Sequence, residues 1–158
     1  MDKMHLFIFG PSCSGKSTLA LALKNSLGED WRSIDRDDLI EQNICTEDKA
    51  NQTIDGRIAS LKANTIIDAQ IPWRDKKEGE FYFVVLPPLA VLLERDSNRT
   101  QRLKRTEKRA HYARLYVEET YQKIASLAPE IFDARFDSSL QTIEQELRII
   151  YYLTSLSS

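Results

Sequence analysis

Short runs of apolar residues alternate along the chain with longer stretches in which apolar residues recur at helical spacing. The apolar runs predict five buried strands: His5–Gly10, Trp31–Ile34, Thr65–Ile71, Phe81–Leu86 and Phe132–Phe136. The periodic stretches predict helices over residues 17–27, from 37 or 38 to 40, over 46–63, from 89 through a basic stretch, over 112–127 and after 138. Ser138 and Gln141 have the spacing of a capping box and mark the start of the last helix. This alternation predicts a three-layer α/β fold, with a parallel sheet of about five strands covered by helices on both faces.

The length and composition fit one folded domain spanning residues 1–158. Of these residues, 42% are hydrophobic and 29% are charged, values typical of globular chains and not of disordered ones. No apolar run approaches the roughly 20 residues that span a bilayer, so we expect no membrane association. Two cysteines and two histidines without ligand spacing exclude a disulfide framework and a zinc cluster, and they predict a cytoplasmic protein. Nothing in the sequence indicates an oligomeric state.

Charge is unevenly distributed along the chain. The net charge is −2, but the basic segment, residues 99–114, holds seven Lys and Arg against one Glu. Its local charge is +6, so the rest of the chain carries −8. A basic segment on an acidic body indicates one localised anion-binding site.

The clearest motif lies between the first predicted strand and the first predicted helix. Residues 10–17, GPSCSGKS, match the pattern G-x-x-x-x-G-K-[ST] of a phosphate-binding loop. In such a loop, backbone N–H groups and the positive end of the following helix surround a phosphate, which requires glycines where the chain curls. We expect Lys16 to reach the β- and γ-phosphates and the Ser17 hydroxyl to contact Mg²⁺. The predicted nucleotide-binding residues are Gly10, Pro11, Ser12, Cys13, Ser14, Gly15, Lys16, Ser17 and Thr18.

Carboxylates follow two of the predicted strands. Asp35, Asp37 and Asp38 come after the second strand, whose carboxyl end lies beside the phosphate loop in an open parallel sheet. Asp37 is the candidate base that orients and deprotonates an acceptor hydroxyl, with Asp35 as the alternative, although such acids are also typical helix caps. Asp68 directly follows three apolar residues, at the Walker B position that supports Mg²⁺. We therefore predict a metal site made by Ser17 and Asp68.

Three arginines in the second half of the chain share one helix face. Arg95, Arg99 and Arg102 are spaced i, i+4, i+7. A row of guanidinium groups suits the neutralisation of a transferring phosphoryl group, although a charge run is also typical of a solvated helix face. We predict that residues 95–114 form a basic helical lid. Arg99 and Arg102 then complete a catalytic set with Lys16 and Asp37.

With these motifs the chain resembles the chloramphenicol phosphotransferase-like group of P-loop kinases. The resemblance rests on spaced segments, in order: Ser12-x-x-Gly15-Lys16-Ser17, Asp37-x-Leu39-Ile40-Glu41, Ile66-Ile67-Asp68, Arg95-Asp96-x-x-Arg99-x-x-Arg102 and Phe132-Asp133-x-x-x-Asp137-Ser138-Ser139. It implies a P-loop NTPase fold, ATP and Mg²⁺ as cofactors, and a catalytic role for Asp37. Residues 42–67 are fewer than that family uses to shape its acceptor pocket, so the acceptor does not carry over.

A second resemblance indicates nucleic acid as an alternative acceptor. Arg36-Asp37-Asp38 is similar to the 5′-hydroxyl polynucleotide kinases, which usually carry an arginine where this chain has Ile40. The sequence lacks the N-K-x-D motif typical of GTPases. We therefore predict an ATP-dependent kinase that phosphorylates a hydroxyl of a small molecule. The alternatives are a kinase for 5′-hydroxyl nucleic-acid ends held by the basic segment, and a nucleotide-dependent regulatory module without an acceptor.

Overall fold

The computed structural model describes residues 2–157, which form five strands and six α-helices. The strands are β1 (His5–Phe9), β2 (Trp31–Asp35), β3 (Asn64–Asp68), β4 (Glu80–Val85) and β5 (Ala134–Phe136). The helices are α1 (Lys16–Leu27), α2 (Arg36–Glu41), α3 (Ala50–Leu61), α4 (Leu89–Leu103), α5 (Glu107–Ala125) and α6 (Ile143–Thr154). Short 3₁₀ turns at Glu47–Lys49 and Pro129–Ile131 precede α3 and β5. The predicted order of strands and helices is confirmed.

The five strands form one parallel sheet in the order β2-β3-β1-β4-β5. From β1 the chain first passes to β2 and β3 on one side, and it then crosses to β4 and β5 on the other. The order therefore reverses at β1, and ligands of open α/β sheets bind where this happens, beyond the carboxyl ends of the strands. At that edge Asp35 of β2 and Asp68 of β3 are register partners, and Ile8 of β1 lies beside Asp68. The sheet thus brings two predicted acids next to the loop that follows β1.

Alternation along β1 divides the core between the two faces of the sheet. Phe7 and Phe9 pack on the face covered by α3 and α5, together with Ile54 and Ile124 of those helices. Leu6 and Ile8 point to the other face, where α1 and α6 contribute the buried residues Leu19, Leu23 and Ile150. All four β1 side chains are fully buried. Helices on both faces of a central sheet make the predicted three-layer arrangement.

The connection from β3 to β4 is a strap, residues 69–79, that crosses β1 without forming a helix. Crossovers between parallel strands usually take about a dozen or more residues and contain a helix. Here side-chain bonds hold the strap instead. Arg74 donates to both carboxylate oxygens of Glu80 at 2.7 Å and to Asp55 Oδ1 at 3.0 Å, and Trp73 Nε1 donates to Asp55 Oδ2 at 2.9 Å. Trp73 and Arg74 therefore have a structural role in fastening the strap to α3 and β4.

The helix boundaries differ from the predicted ones in two places, and the first is in the basic segment. The predicted helix through the basic segment is interrupted, because α4 ends at Leu103 and Lys104 adopts a left-handed conformation with φ 53°. Arg105 closes this elbow by donating to Asp96 at 2.9 Å and to Thr100 at 3.0 Å.

The predicted capping box at Ser138 and Gln141 is wrong. The reciprocal side-chain and backbone bonds are made by Thr142 and Gln145, so α6 begins four residues later than predicted. Leu140 lies before the helix and is 81% exposed, although its spacing had matched the apolar face of α6. Both pairs carry a hydroxyl and a glutamine three residues apart, and tertiary contacts decide between them, since Ser138 bonds the phosphate loop.

Helix α6 carries a buried carboxyl group, Glu146, which is 1% exposed. Its Oε1 is the buried side-chain polar atom without a hydrogen-bond partner within residues 2–157. Burial raises the pKa of Glu146 from 4.5 to about 7. The folded state therefore holds a proton that the unfolded state has released between these two values, and stability falls as pH rises through that window.

We expect Glu146→Gln to remove this pH dependence, because the amide has the shape of the carboxyl group and no charge. At pH 8 the variant should be more stable than the natural protein by about 3 kcal/mol, and at pH 4.5 the two should agree closely. Urea unfolding midpoints at both pH values measure the effect. The exposed Glu144→Gln, in the first turn of the same helix, is the control. Parallel pH profiles for the natural protein and Glu146→Gln would contradict the prediction.

None of the helices described is long and apolar enough to cross a membrane.

Candidate functional site

The loop between β1 and α1 curls tightly at the carboxyl edge of the sheet. Gly10 opens it with φ 155°, and its N–H donates to the carbonyl of Gln70 at 3.1 Å. A Cβ at Gly10 would lie 2.5 Å from the carbonyl oxygen of Val85 and 2.6 Å from Ser14 Oγ, so the position requires glycine. Further along, Ser14 N–H donates to the carbonyl of Pro11 at 3.2 Å. The loop is thus held against the ends of β3 and β4 while its middle folds back on itself.

The curled loop forms the floor of a cavity of about 270 Å³ at the N-terminus of α1, the phosphate cavity. Its walls bring together most of the predicted site residues: Pro11, Ser12, Cys13, Ser14, Gly15, Lys16, Ser17, Thr18, Asp37 and Arg99. Gly10 does not line the cavity, since it shapes the loop from below. A concave loop with a helix N-terminus behind it is an anion-binding arrangement, because the helix dipole and the orphan N–H groups both favour negative charge.

Lys16, which lines this cavity, forms a buried ion pair with Asp68 behind it. Lys16 Nζ lies 2.8 Å from Asp68 Oδ1, and the two residues are only 6% and 5% exposed. The second carboxylate oxygen, Oδ2, accepts a hydrogen bond from the Ser17 hydroxyl at 2.6 Å. The loop therefore places its lysine and its serine on the same carboxylate, at the end of β3 where the sequence predicted it.

The oxygen atoms of Ser17 and Asp68 suit a magnesium ion. Mg²⁺ prefers hard oxygen ligands, and in nucleotide sites it is usually held by one or two carboxylates with substrate phosphates and waters supplying the rest. Such a site does not need a metal cage made entirely by the protein. Within residues 2–157, no cluster of three or more His, Cys, Asp or Glu could hold a metal ion. The residues present therefore fit a magnesium ion that arrives with a nucleotide.

Asp35 and Asp37 are two residues apart and face different surroundings. Asp35 caps α2, since its Oδ1 accepts from the N–H groups of Asp37 at 2.9 Å and Asp38 at 3.2 Å. Burial and then the charge of the neighbouring Asp68 raise the pKa of Asp35. Asp37 is exposed and lines the phosphate cavity. Of the two side chains, that of Asp37 therefore lines the cavity, while Asp35 lies beside the Ser17–Asp68 pair.

The three arginines of α4 have different environments despite their common spacing. Arg99 lines the phosphate cavity and its Nη1 lies 3.5 Å from Ser12 Oγ. Arg102, one turn further, is exposed and lies outside the residues that line the cavity. Arg95 binds the phosphate loop itself and Ser138. The structure thus brings Arg99 to the cavity, leaves Arg102 in solvent outside the residues that line it, and ties Arg95 to the protein.

No protein-family model and no curated protein matches this chain. Among solved structures, shikimate kinase from Bacteroides thetaiotaomicron superposes with a TM-score of 0.64 at 18% identity, covering 97% of this chain and 99% of its own. Shikimate kinase from Acinetobacter baumannii in complex with shikimate gives 0.63 at 16% identity, covering 97% and 94%. The fold is that of the P-loop NTPases.

A more distant likeness covers part of a larger protein. A chain of the Pnkp1/Rnl/Hen1 RNA repair complex superposes with a TM-score of 0.50 at 19% identity, and the match covers 77% of this chain and 46% of that one. At these identities the likenesses show the P-loop NTPase fold. They do not single out the chloramphenicol phosphotransferases among proteins that share it.

No sequence pattern indicated Tyr116, which contacts the strap next to the phosphate loop. Its hydroxyl donates to the side-chain oxygen of Gln70, the residue whose carbonyl holds Gly10. Burial of the hydroxyl raises the pKa of Tyr116, and the nearby charge of Arg36 lowers it in part. Tyr116 lies in the middle of α5, where a tyrosine carries no motif, so only its contact with Gln70 of the strap identifies it.

Proposed function

We propose that the protein is an ATP-dependent, magnesium-requiring kinase that transfers the γ-phosphoryl group to a hydroxyl of a small molecule. The observation that carries the proposal is the phosphate cavity, whose walls hold the loop lysine, a free carboxylate and an arginine together. Each has a distinct task in phosphoryl transfer, which depends on positioning and electrostatics and needs no covalent intermediate. A loop that only bound nucleotide would have no use for Asp37.

The nucleotide phosphates are held by the loop N–H groups, the N-terminus of α1 and Lys16. The Lys16 ammonium group donates to the Asp68 carboxylate, which also accepts from the Ser17 hydroxyl. This carboxylate keeps the lysine near the cavity. Ser17 and Asp68 would hold Mg²⁺, with Asp35 beside them. Bound there, the ion would neutralise charge on the phosphate oxygens.

Asp37 orients the acceptor hydroxyl and accepts its proton as the oxygen attacks the γ-phosphorus. The bond between the γ-phosphorus and its bridging oxygen breaks, and the electrons remain on the departing ADP. Arg99, and Arg102 from the lid of residues 95–114, stabilise the charge that develops on the transferring group. We assign this activity to a single domain in a reducing, cytoplasm-like compartment, since both Cys13 and Cys45 are free thiols.

The second candidate is a kinase for 5′-hydroxyl ends of nucleic acid. It is supported by the surface of α4 and α5 beyond the cavity, where basic side chains of the basic segment are exposed together with Tyr112, which is 59% exposed. Cations beside an aromatic ring suit the phosphates and bases of a single strand. A nucleotide-dependent regulatory module is the third candidate, and the position of Asp37 in the cavity counts against it.

Mass spectrometry of phosphate addition tests the proposal directly. The protein, with ATP and Mg²⁺, meets a panel of metabolite and antibiotic alcohols in one reaction and a 5′-hydroxyl oligonucleotide in another. We expect a small molecule to gain one phosphate. Transfer to the oligonucleotide, with binding that weakens steeply as salt rises, would replace the primary proposal by the second candidate. Bound ATP with no phosphorylated acceptor across a broad panel would favour the regulatory module.

A further inference from the structure

Two side chains from distant parts of the chain hold the outer side of the phosphate loop. Arg95 Nη1 donates to the carbonyl of Cys13 at 3.1 Å, to the carbonyl of Ser14 at 3.3 Å and to Ser138 Oγ at 2.9 Å. Ser138 Oγ in turn donates to the carbonyl of Ser14 at 2.5 Å. Arg95 comes from α4 and Ser138 from the turn between β5 and α6. Neither is among the residues that line the phosphate cavity.

These bonds bear on the direction in which the loop N–H groups point. A peptide unit is planar and trans, so its carbonyl and its N–H point in opposite directions. Because the Ser14 carbonyl is held on the outer side by both Arg95 and Ser138, the Gly15 N–H of the same peptide unit is turned toward the cavity that Gly15 lines. Cys13 is held at φ 69°, an unfavourable conformation for a residue with a side chain.

The turn that carries Ser138 is itself well fixed. The carbonyl of Asp137 accepts from the N–H groups of Leu140 and Gln141, and Asp137 N–H donates to the Gln141 side chain at 2.9 Å. A Cβ at Gly15 would lie 3.4 Å from Ser138 Cβ, so Ser138 packs directly against the second glycine of the loop. The serine is therefore a rigid support for the loop.

We propose that Arg95 and Ser138 are positioning residues that clamp the phosphate loop in its anion-binding shape without touching the nucleotide. The sequence grouped Arg95 with two arginines that act on the transferring phosphoryl group, and the structure separates it from them. All three oxygen acceptors are reached by one terminal nitrogen, Nη1, which the planar guanidinium group holds in a fixed direction at the end of the side chain. The clamp rests on the proposed function only in that the loop binds a nucleotide.

Calorimetric binding in the presence of Mg²⁺ separates the clamp from other roles of Arg95. The variants are Arg95→Met, Ser138→Ala and the matched control Ser139→Ala, whose hydroxyl bonds Asp137 and not the loop. We expect Arg95→Met to weaken ATP, ADP and inorganic tripolyphosphate alike, by about tenfold or more, and Ser138→Ala to weaken them by about three- to tenfold. The control should stay within about twofold of the natural protein.

Three other patterns of ligand binding would each overturn the clamp. A loss for ATP without a loss for ADP means that Arg95 contacts the γ-phosphate. A loss for both nucleotides without a loss for tripolyphosphate means that it contacts the nucleoside. Unchanged binding of all three ligands means that the loop keeps its shape without it. A rise in the KM for ATP with the acceptor KM unchanged is the corresponding kinetic expectation.

Hydrogen exchange of the ligand-free protein tests the clamp without any nucleotide. Peptides covering residues 10–18 should exchange about five- to tenfold faster in Arg95→Met and Ser138→Ala than in the natural protein, and at the natural rate in Ser139→Ala. The milder Ser138→Ala keeps the test open if Arg95→Met folds poorly. Unchanged exchange would overturn the clamp. A natural protein that binds no ATP would instead overturn the proposed function, and the exchange rates would still decide about the clamp.

Discussion

Replacing Asp37 by asparagine will lower the turnover of phosphoryl transfer by about 10²- to 10⁴-fold, the usual contribution of a positioned general base. Asparagine keeps the shape of the side chain and the N–H that bonds Asp35, but it cannot take a proton. ATP affinity should stay within about twofold, because the loop and Lys16 are untouched. Single-turnover rates and ATP binding, measured on the same preparation, give the two numbers.

The control for this prediction is Glu41→Gln, which removes an exposed carboxylate from the other end of α2. It should turn over as the natural protein does. Asp35→Asn decides between the two acids that the sequence left open: asparagine still caps a helix, so we expect a smaller loss than in Asp37→Asn. A larger loss in Asp35→Asn, or full turnover in Asp37→Asn, would contradict the assignment of Asp37 as the base.

Replacing Gly10 by alanine will weaken ATP binding by about 10- to 100-fold. The added Cβ would lie 2.5 Å from the carbonyl oxygen of Val85, a backbone atom at the end of β4 that cannot move aside as a flexible side chain can. The loop must shift instead, at a cost of about 1–3 kcal/mol, and the N–H groups that face the phosphates lose their alignment. Calorimetric titration with ATP, at a temperature where circular dichroism shows both proteins folded, measures the loss.

Gly56→Ala is the matched control, because no heavy atom lies within 4 Å of a Cβ added there and the residue is in the middle of α3. It should bind ATP normally and gain up to about 1 kcal/mol of stability, as alanine favours a helix over glycine. ATP binding by Gly10→Ala at the natural affinity would show that the loop tolerates a shift at its first residue, contrary to the close approach seen here.

The fold was largely predictable because each strand of a parallel sheet is buried on both faces. Runs such as Leu6–Phe9 are therefore apolar throughout, and they stand out from the amphipathic helices between them. Sheet order was not readable in the same way, because it depends on which strands pair across long connections. The strap was also hidden, since the bonds of Arg74 to Asp55 and Glu80 join residues that no local pattern relates.

The candidate site was predictable where its residues are bound by a local rule. The phosphate loop has fixed spacing, and Asp37 and Asp68 follow strand ends, so geometry common to parallel sheets brings them to one edge. The arginines were harder, because helical spacing places them on one face but does not say what that face meets. Arg95, Arg99 and Arg102 share the spacing and have three different surroundings. Ser138 looked like a helix cap, and its true partners are the loop carbonyl and Arg95, both far away in the chain.

The strand order divides the molecule in a way that the linear chain conceals. Strands β2, β3 and β1 all come from residues before the strap, and β4 and β5 all come from residues after it. Backbone pairing between β1 and β4 therefore joins an amino-terminal half, which carries the phosphate loop and the acids, to a carboxyl-terminal half, which carries α4 with Arg95 and Arg99. The groups that we propose to hold the nucleotide phosphates and the groups that we propose to neutralise charge thus come from separate halves of the chain, and the site is complete only where the two parts of the sheet pair.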